Sequence, residues 1–115
     1  MANTFKLVTK ANVTSADVIY TVASSTTTVV LGIMVGNTTT SQVTGTISIA
    51  STTSARAGNN NEANQTVELV TNAPIPAGGT LELLAGNKVV MEAGDALSLT
   101  ASGSSDIAVS IMEIT

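Results

Sequence analysis

The sequence predicts an all-β chain: a single-domain antiparallel β-sandwich, jelly-roll or Ig-like (immunoglobulin-like), with about nine short strands. Three observations carry this. β-Branched Thr and Val are abundant, which suits a pleated, half-buried backbone. Alternating runs recur at intervals of roughly 8 to 15 residues, separated by Gly, Ser, Asn and Pro clusters. No window holds a sustained helical period of about 3.6 residues built from helix formers. At 115 residues the chain suits one domain, residues 1–115, and folding at this size buries roughly 65% of the unfolded surface, enough for a core without staples.

The strands follow in order. Residues 5–10 alternate Phe5 and Leu7 with Lys6 and Val8. Residues 17–23 set Val18, Tyr20 and Val22 on one face and Ile19, Thr21 and Ala23 on the other. Residues 28–36 are apolar on both faces, with Val29, Leu31, Ile33 and Val35 opposite Val30, Gly32, Met34 and Gly36. The polar stretch 37–42 then leads to residues 43–50, where Val43, Gly45, Ile47 and Ile49 alternate with Thr44, Thr46 and Ser48; the short connection predicts a hairpin between these two strands.

Residues 51–64, STTSARAGNNNEAN, break the rhythm and are long for a connection inside one domain. They read as an irregular loop, either a plain surface loop or an arm that orders against a neighbouring subunit. Strands resume at 65–71. Pro74 and Pro76 then impose an extended, non-pairing stretch suited to a sheet edge or a crossing between sheets.

Residues 79–84 and 88–92 follow, joined by the tight turn Ala85-Gly86-Asn87. The chain closes with strands at 96–101 and 106–114, the last placing Ile107, Val109 and Ile111 opposite Ala108, Ser110, Met112 and Ile114. The pattern Ala-Gly-x-x-Leu-x-Leu occurs at 77–83 and again at 93–99. It is read as two lead-ins to neighbouring strands of one sandwich, since two copies are too few for a repeat array.

Composition removes most chemistry. There is no Cys and no His, which excludes Cys/His zinc sites, thiol and Ser-His catalysis, haem held by His and iron–sulfur clusters. Eight acidic against four basic residues give a net charge of −4, and Phe5 and Tyr20 are the only aromatics. Neither the field nor the stacking platforms suit nucleic acid. Mean hydropathy is positive, yet no apolar run approaches the roughly 18 residues of a spanning helix, so no membrane partner is expected. The N-terminal residues lack the apolar core of a signal peptide, and the chain is expected to be complete, soluble and made in a cytoplasm.

The remaining candidates read as structure. Glu92 and Asp95 could pass for a paired carboxylate, but Asp95 follows Gly94 in a turn, where Asp accepts local backbone hydrogen bonds, and a calcium loop would need more oxygens at set spacing. Asp106 and Glu113 are an odd number of positions apart and fall on opposite faces of their strand. Residues 77–80, AGGT, lack the helix and the Lys of a phosphate loop. The Asn-x-Thr triplets at Asn12, Asn37 and Asn64 are by-products of Asn/Thr-rich turns. No enzyme activity, catalytic residue, metal or cofactor is expected.

Segments such as VLGIMVGNTT (30–39), APIPAG (73–78), VMEAGD (90–95) and the ending IMEIT (111–115) resemble small virion structural proteins of tailed bacteriophages, including cyanophages and other phages of aquatic bacteria. The resemblance runs from about Val18 to the C-terminus. It implies a virion protein on the capsid surface, made in the host bacterial cytoplasm. The best-fitting role is a decoration (cement) protein that ties capsomers together, with a neck, tail or fibre component as the alternative and a carbohydrate-binding module as a more distant one. Its partners would be the major capsid protein or other virion proteins and further copies of itself, a trimer among the options.

The residues themselves supply the surface. Strands 28–36 and 106–114 are apolar on both faces, whereas a sandwich buries only one face of each sheet. The second face is covered by residues 51–64, is a bland outer face, or is an oligomer interface. The interface candidates are Met34, Met112 and Ile114 on the strands, with Arg56, Asn59, Asn60 and Asn61 in the long loop.

Overall fold

The computed structural model describes residues 2–51, 65–84 and 86–115. Among these there is no helix, and nine strands are present: β1 (Asn3–Val13), β2 (Ala16–Thr21), β3 (Thr27–Asn37), β4 (Val43–Ser51), β5 (Gln65–Ile75), β6 (Thr80–Leu83), β7 (Val89–Met91), β8 (Ala96–Ala101) and β9 (Ser105–Ile114). They form two antiparallel sheets. Sheet A runs β1-β9-β3-β6, with β7 also on β3 beyond β6, and sheet B runs β2-β8-β4-β5. With the three-residue β7 set aside, this interleaving of early and late strands in both sheets is the jelly-roll order, which decides between the two sandwich types the sequence allowed.

The chain changes sheet at most connections, and this corrects three expectations about pairing. β3 and β4 are not a hairpin: β3 pairs with β9, β6 and β7, while β4 pairs with β5 and β8. β6 and β7 do not pair with each other but lie one after the other along the same side of β3. The two Ala-Gly-x-x-Leu-x-Leu segments feed β6 in sheet A and β8 in sheet B, so they are not neighbours. A short polar connection fits a crossing between stacked sheets as well as it fits a hairpin. Among the described residues the only sequential strands that pair are β4 and β5, whose ladder begins at Ser51–Gln65; the intervening 52–64 lie outside the described residues.

One core lies between the sheets. Sheet A contributes Val30, Ile33 and Val35 from β3, Ile107, Val109 and Ile111 from β9, and Met91; sheet B contributes Val43 and Ile47 from β4, Ile75 from β5, and Leu97, Leu99 and Ala101 from β8. Two bulges put these residues inside. On β3 the register shifts between Val30 and Gly32, so Leu31 is the extra residue, and Val30 shares the inner face with Ile33 and Val35 in place of the strict alternation. On β2 the register shifts between Val18 and Tyr20, turning Val18 out and Tyr20 in. Where both faces are apolar, alternation carries no phase, so neither bulge can be read from the sequence.

Asn37 at the end of β3 is 4% exposed and ties the sheets together. Its Nδ2 donates to the carbonyls of Ser41 (2.7 Å), Ile75 (3.0 Å) and Pro76 (3.1 Å), while its Oδ1 accepts from the Thr39 N–H (2.8 Å). Contrary to the non-pairing stretch expected at the prolines, β5 stays paired through Pro74, opposite Thr44, to Ile75, because on an edge strand the missing N–H can face away from β4; Pro76 then opens the crossing to β6. At that crossing the Gly79 N–H donates to Pro76 O (2.8 Å), and a Cβ at Gly79 would lie 2.7 Å from the proline ring. The AGGT segment is therefore a turn packed on proline.

Candidate interaction surface

The two outer faces of the sandwich differ in kind. On sheet B the outward register places Thr46 beside Thr100, and Ser48 beside Ser98, which in turn faces Val18: small hydroxyl side chains for the most part. On sheet A one register row reads Phe5, Met112, Val29, Val90 across β1, β9, β3 and β7. The rows on either side hold Ile114 between Asn3 and Thr27, and Leu7, Ser110 and Gly32. Phe5 is 72% exposed, Leu7 67%, Val90 56% and Met34 50%. Single exposed apolar residues need no explanation, but a contiguous row across four strands sets this face apart from the rest of the surface.

Three sequence candidates meet here. Met34, Met112 and Ile114 all point outward from sheet A, Met34 half-exposed and the other two partly buried. Arg56, Asn59, Asn60 and Asn61 lie outside the described residues. Phe5, Leu7 and Val90 were missed as surface residues. Alternation places Phe5 and Leu7 on one face of β1 without saying which face is inside, and the presence of Lys6 and Lys10 on the other face suggests the wrong answer.

Those lysines point inward at the open side of the sandwich, where β1 faces β2, and both find carboxylates. Lys6 Nζ lies 2.6 Å from Glu113 Oε1, and Lys10 Nζ lies 3.6 Å from Asp17 Oδ2. Inward-pointing charge on an edge strand also blocks unwanted edge-to-edge pairing. The other Glu113 oxygen, Oε2, accepts from the Tyr20 hydroxyl at 2.5 Å. Because Tyr20 has one proton to give, the Thr28 hydroxyl donates to the phenol oxygen at 2.7 Å.

This cluster shifts two groups. Burial first, and then the bond to Glu113, pushes the Tyr20 hydroxyl up from 10.0 to about 12. The hydrogen bonds from Lys6 and then Tyr20 hold the Glu113 carboxyl below its ordinary value. The arrangement is that of a clamp: the Tyr20 and Thr28 hydroxyls and the Glu113 carboxylate are held by one another and by Lys6, and together they bind β1, β2, β3 and β9.

The other carboxylates also have structural posts. Asp95 is fully buried in the turn before β8; its Oδ2 accepts from the Glu92 N–H (2.9 Å), and its own N–H donates to Glu92 O (3.0 Å). The pair closes one turn, as its spacing predicts. Asp106 points outward and accepts from the Asn12 N–H (3.0 Å), whereas Glu113 points inward, in agreement with their odd separation. Among the described residues no group of three or more Asp, Glu, His or Cys could hold a metal ion, and no helix is long and apolar enough to cross a membrane. The buried side chain of Asn37 is spent on carbonyls, so its Asn-x-Thr triplet is a structural turn.

Sheet A's outer face is also uneven. Its Phe5 end is raised by large side chains. Toward the other end Ala108 and Gly36 leave a depression of about 380 Å³ bordered by Thr9, Met34, Thr80 and Asp106, and a second depression of about 250 Å³ lies over Gly32 beside Glu82. No protein-family model, curated protein or solved structure matches the chain.

Proposed function

We propose that the chain is a non-enzymatic structural subunit of a bacteriophage particle, a decoration (cement) protein that binds the outside of the head and stabilises contacts between capsomers. The observation that carries this reading is the apolar outer face of sheet A, with Phe5, Leu7, Met34 and Val90 displayed around Met112 and Ile114. Covering each such side chain is worth roughly 1.5–3 kcal/mol when burial is complete. Small contributions of this kind, summed over many copies on one particle, hold a shell by avidity. The sequence resemblance supplies the particle. The jelly-roll order is compatible with it but is shared by lectins and cupins, so the fold adds no weight of its own.

The test is the copy number in purified particles by quantitative mass spectrometry. A decoration role predicts numbers comparable with the major capsid protein. A handful of copies per particle would contradict it and favour a neck, tail or fibre component.

A further inference from the structure

We infer that the outer face of sheet A is a twofold interface between two copies of this chain, stacked antiparallel so that the Phe5–Met112–Val29 ridge of each lies in the hollow over Ala108 and Gly36 of the other. The inference rests on reading that face as an assembly surface, and it names the first occupant. Along its strands the face carries a ridge at the Phe5 row and hollows beyond it, a smaller one over Gly32 and a larger one over Ala108 and Gly36, with Met34 standing between them. A twofold axis running across the strands lays the bulky end on the hollow end twice, which is the self-complementarity an isologous pair requires.

Gly36 strengthens the point. It lies between Asp106 and Thr80 in the interior of the sheet, its φ is not positive, and a Cβ added there would meet nothing within 4 Å. Neither the backbone nor the packing of a single copy requires glycine there. In a strand interior, glycine marks the close approach of something else.

The area fits a second copy. Four strands about 4.8 Å apart, each presenting about nine residues at about 3.3 Å rise, make a face of roughly 600 Å². A pair then buries about 1,200 Å², the lower limit of a specific interface, so the dimer forms and dissociates with concentration. The outward charged residues on the strands of this face are Glu82, on edge strand β6, and Asp106, at the end of β9. Glu82 stays at the rim in water, whereas Asp106 borders the hollow, where its carboxylate already accepts from the Asn12 N–H (3.0 Å). Two chains of net charge −4 repel at long range, so screening by salt favours the pair, the opposite of what a cationic partner would show.

Sedimentation of the full chain from about 10 µM to about 1 mM tests this, a range that captures association as weak as about −4 kcal/mol. The weight-average mass is expected to climb from 11.5 kDa toward twice that value, and further at higher salt. Phe5→Ser on the ridge and Gly36→Val in the hollow are each expected to weaken pairing at least tenfold. Val18→Ser, on the outer face of sheet B, is expected to change nothing. Gly36→Val keeps the melting temperature of the monomer; should it unfold the chain, Gly36→Ala places only a Cβ in the open space and still weakens pairing.

A mass of 11.5 kDa at every concentration, a three-copy mass, or equal weakening by Val18→Ser overturns the inference. A solution monomer found in high copy number on particles overturns the pairing alone and leaves the decoration reading standing.

Discussion

Glu113 holds four strands with one carboxylate, through Lys6 on β1, Tyr20 on β2 and, beyond the phenol, Thr28 on β3. Its carboxyl is depressed in the folded chain from an ordinary value of 4.5, so the stability it lends is present above that value and is lost as pH falls through the lower, folded one. Tyr20 works in the other direction. Its hydroxyl stays protonated in the fold up to about 12 but ionises near 10.0 once unfolded, so stability declines across that interval as pH rises. Urea midpoints measured against pH are expected to show both limbs, with Glu113→Gln flattening the acid one and Tyr20→Phe the alkaline one. Lys6 is half exposed, so its share is small, within the ~1 kcal/mol typical of solvated pairs. Asn37 matters more. Asn37→Ala removes one donor from each of the Ser41, Ile75 and Pro76 carbonyls, although Thr39 Oγ1 still serves Ser41 O and the Gly79 N–H still serves Pro76 O, and denaturant unfolding is expected to show a loss of about 1–3 kcal/mol.

Strands differ in how firmly they are held. Among the described residues β1 is an edge strand paired only with β9, and Val13 is its one fully buried side chain, whereas β3 and β9 are internal and carry six core residues between them. Amide exchange is therefore expected to be fastest in β1 and slowest in β3 and β9; equal protection across sheet A would contradict this packing. Element positions were legible because a period of two and turn residues are local properties, and the nine observed strands fall where alternation places them. Pairing was not legible. The connection 38–42 reads the same whether it closes a hairpin or crosses between sheets, and only the core behind Ile33 and Ile47 decides. Face assignment failed where the signal is degenerate. Val29 to Val35 is apolar throughout, so the bulge at Leu31 sets which residues enter the core. The candidate surface was half legible for the same reason: Met34, Met112 and Ile114 stand out as second-face residues of doubly apolar strands, while Phe5 and Leu7 look like core until the register turns them outward. The glycines follow the same logic. Gly36→Ala should stabilise the isolated chain by roughly 0.5–1 kcal/mol, since a Cβ there meets open space and strand glycine carries an entropic penalty.

At the scale of the molecule the two sheets share one core and divide the surface between them. Sheet B turns mainly hydroxyls to water, with Val18 and Val67 as exposed apolar side chains, whereas sheet A turns a row of large apolar side chains outward. The central claim is that sheet A's outer face is covered when the protein works. Three methionines report on it without any substitution: Met34 is half-exposed on that face, Met112 lies beside Phe5, and Met91 is fully buried in the core. Oxidation of each thioether, followed by peptide mass spectrometry in the dilute chain and in the assembled particle, reads the coverage directly. The account predicts that Met34 oxidises readily in the dilute chain and is protected together with Met112 on assembly, with Met91 slow in both states. Met34 oxidising at the same rate in both states would contradict it.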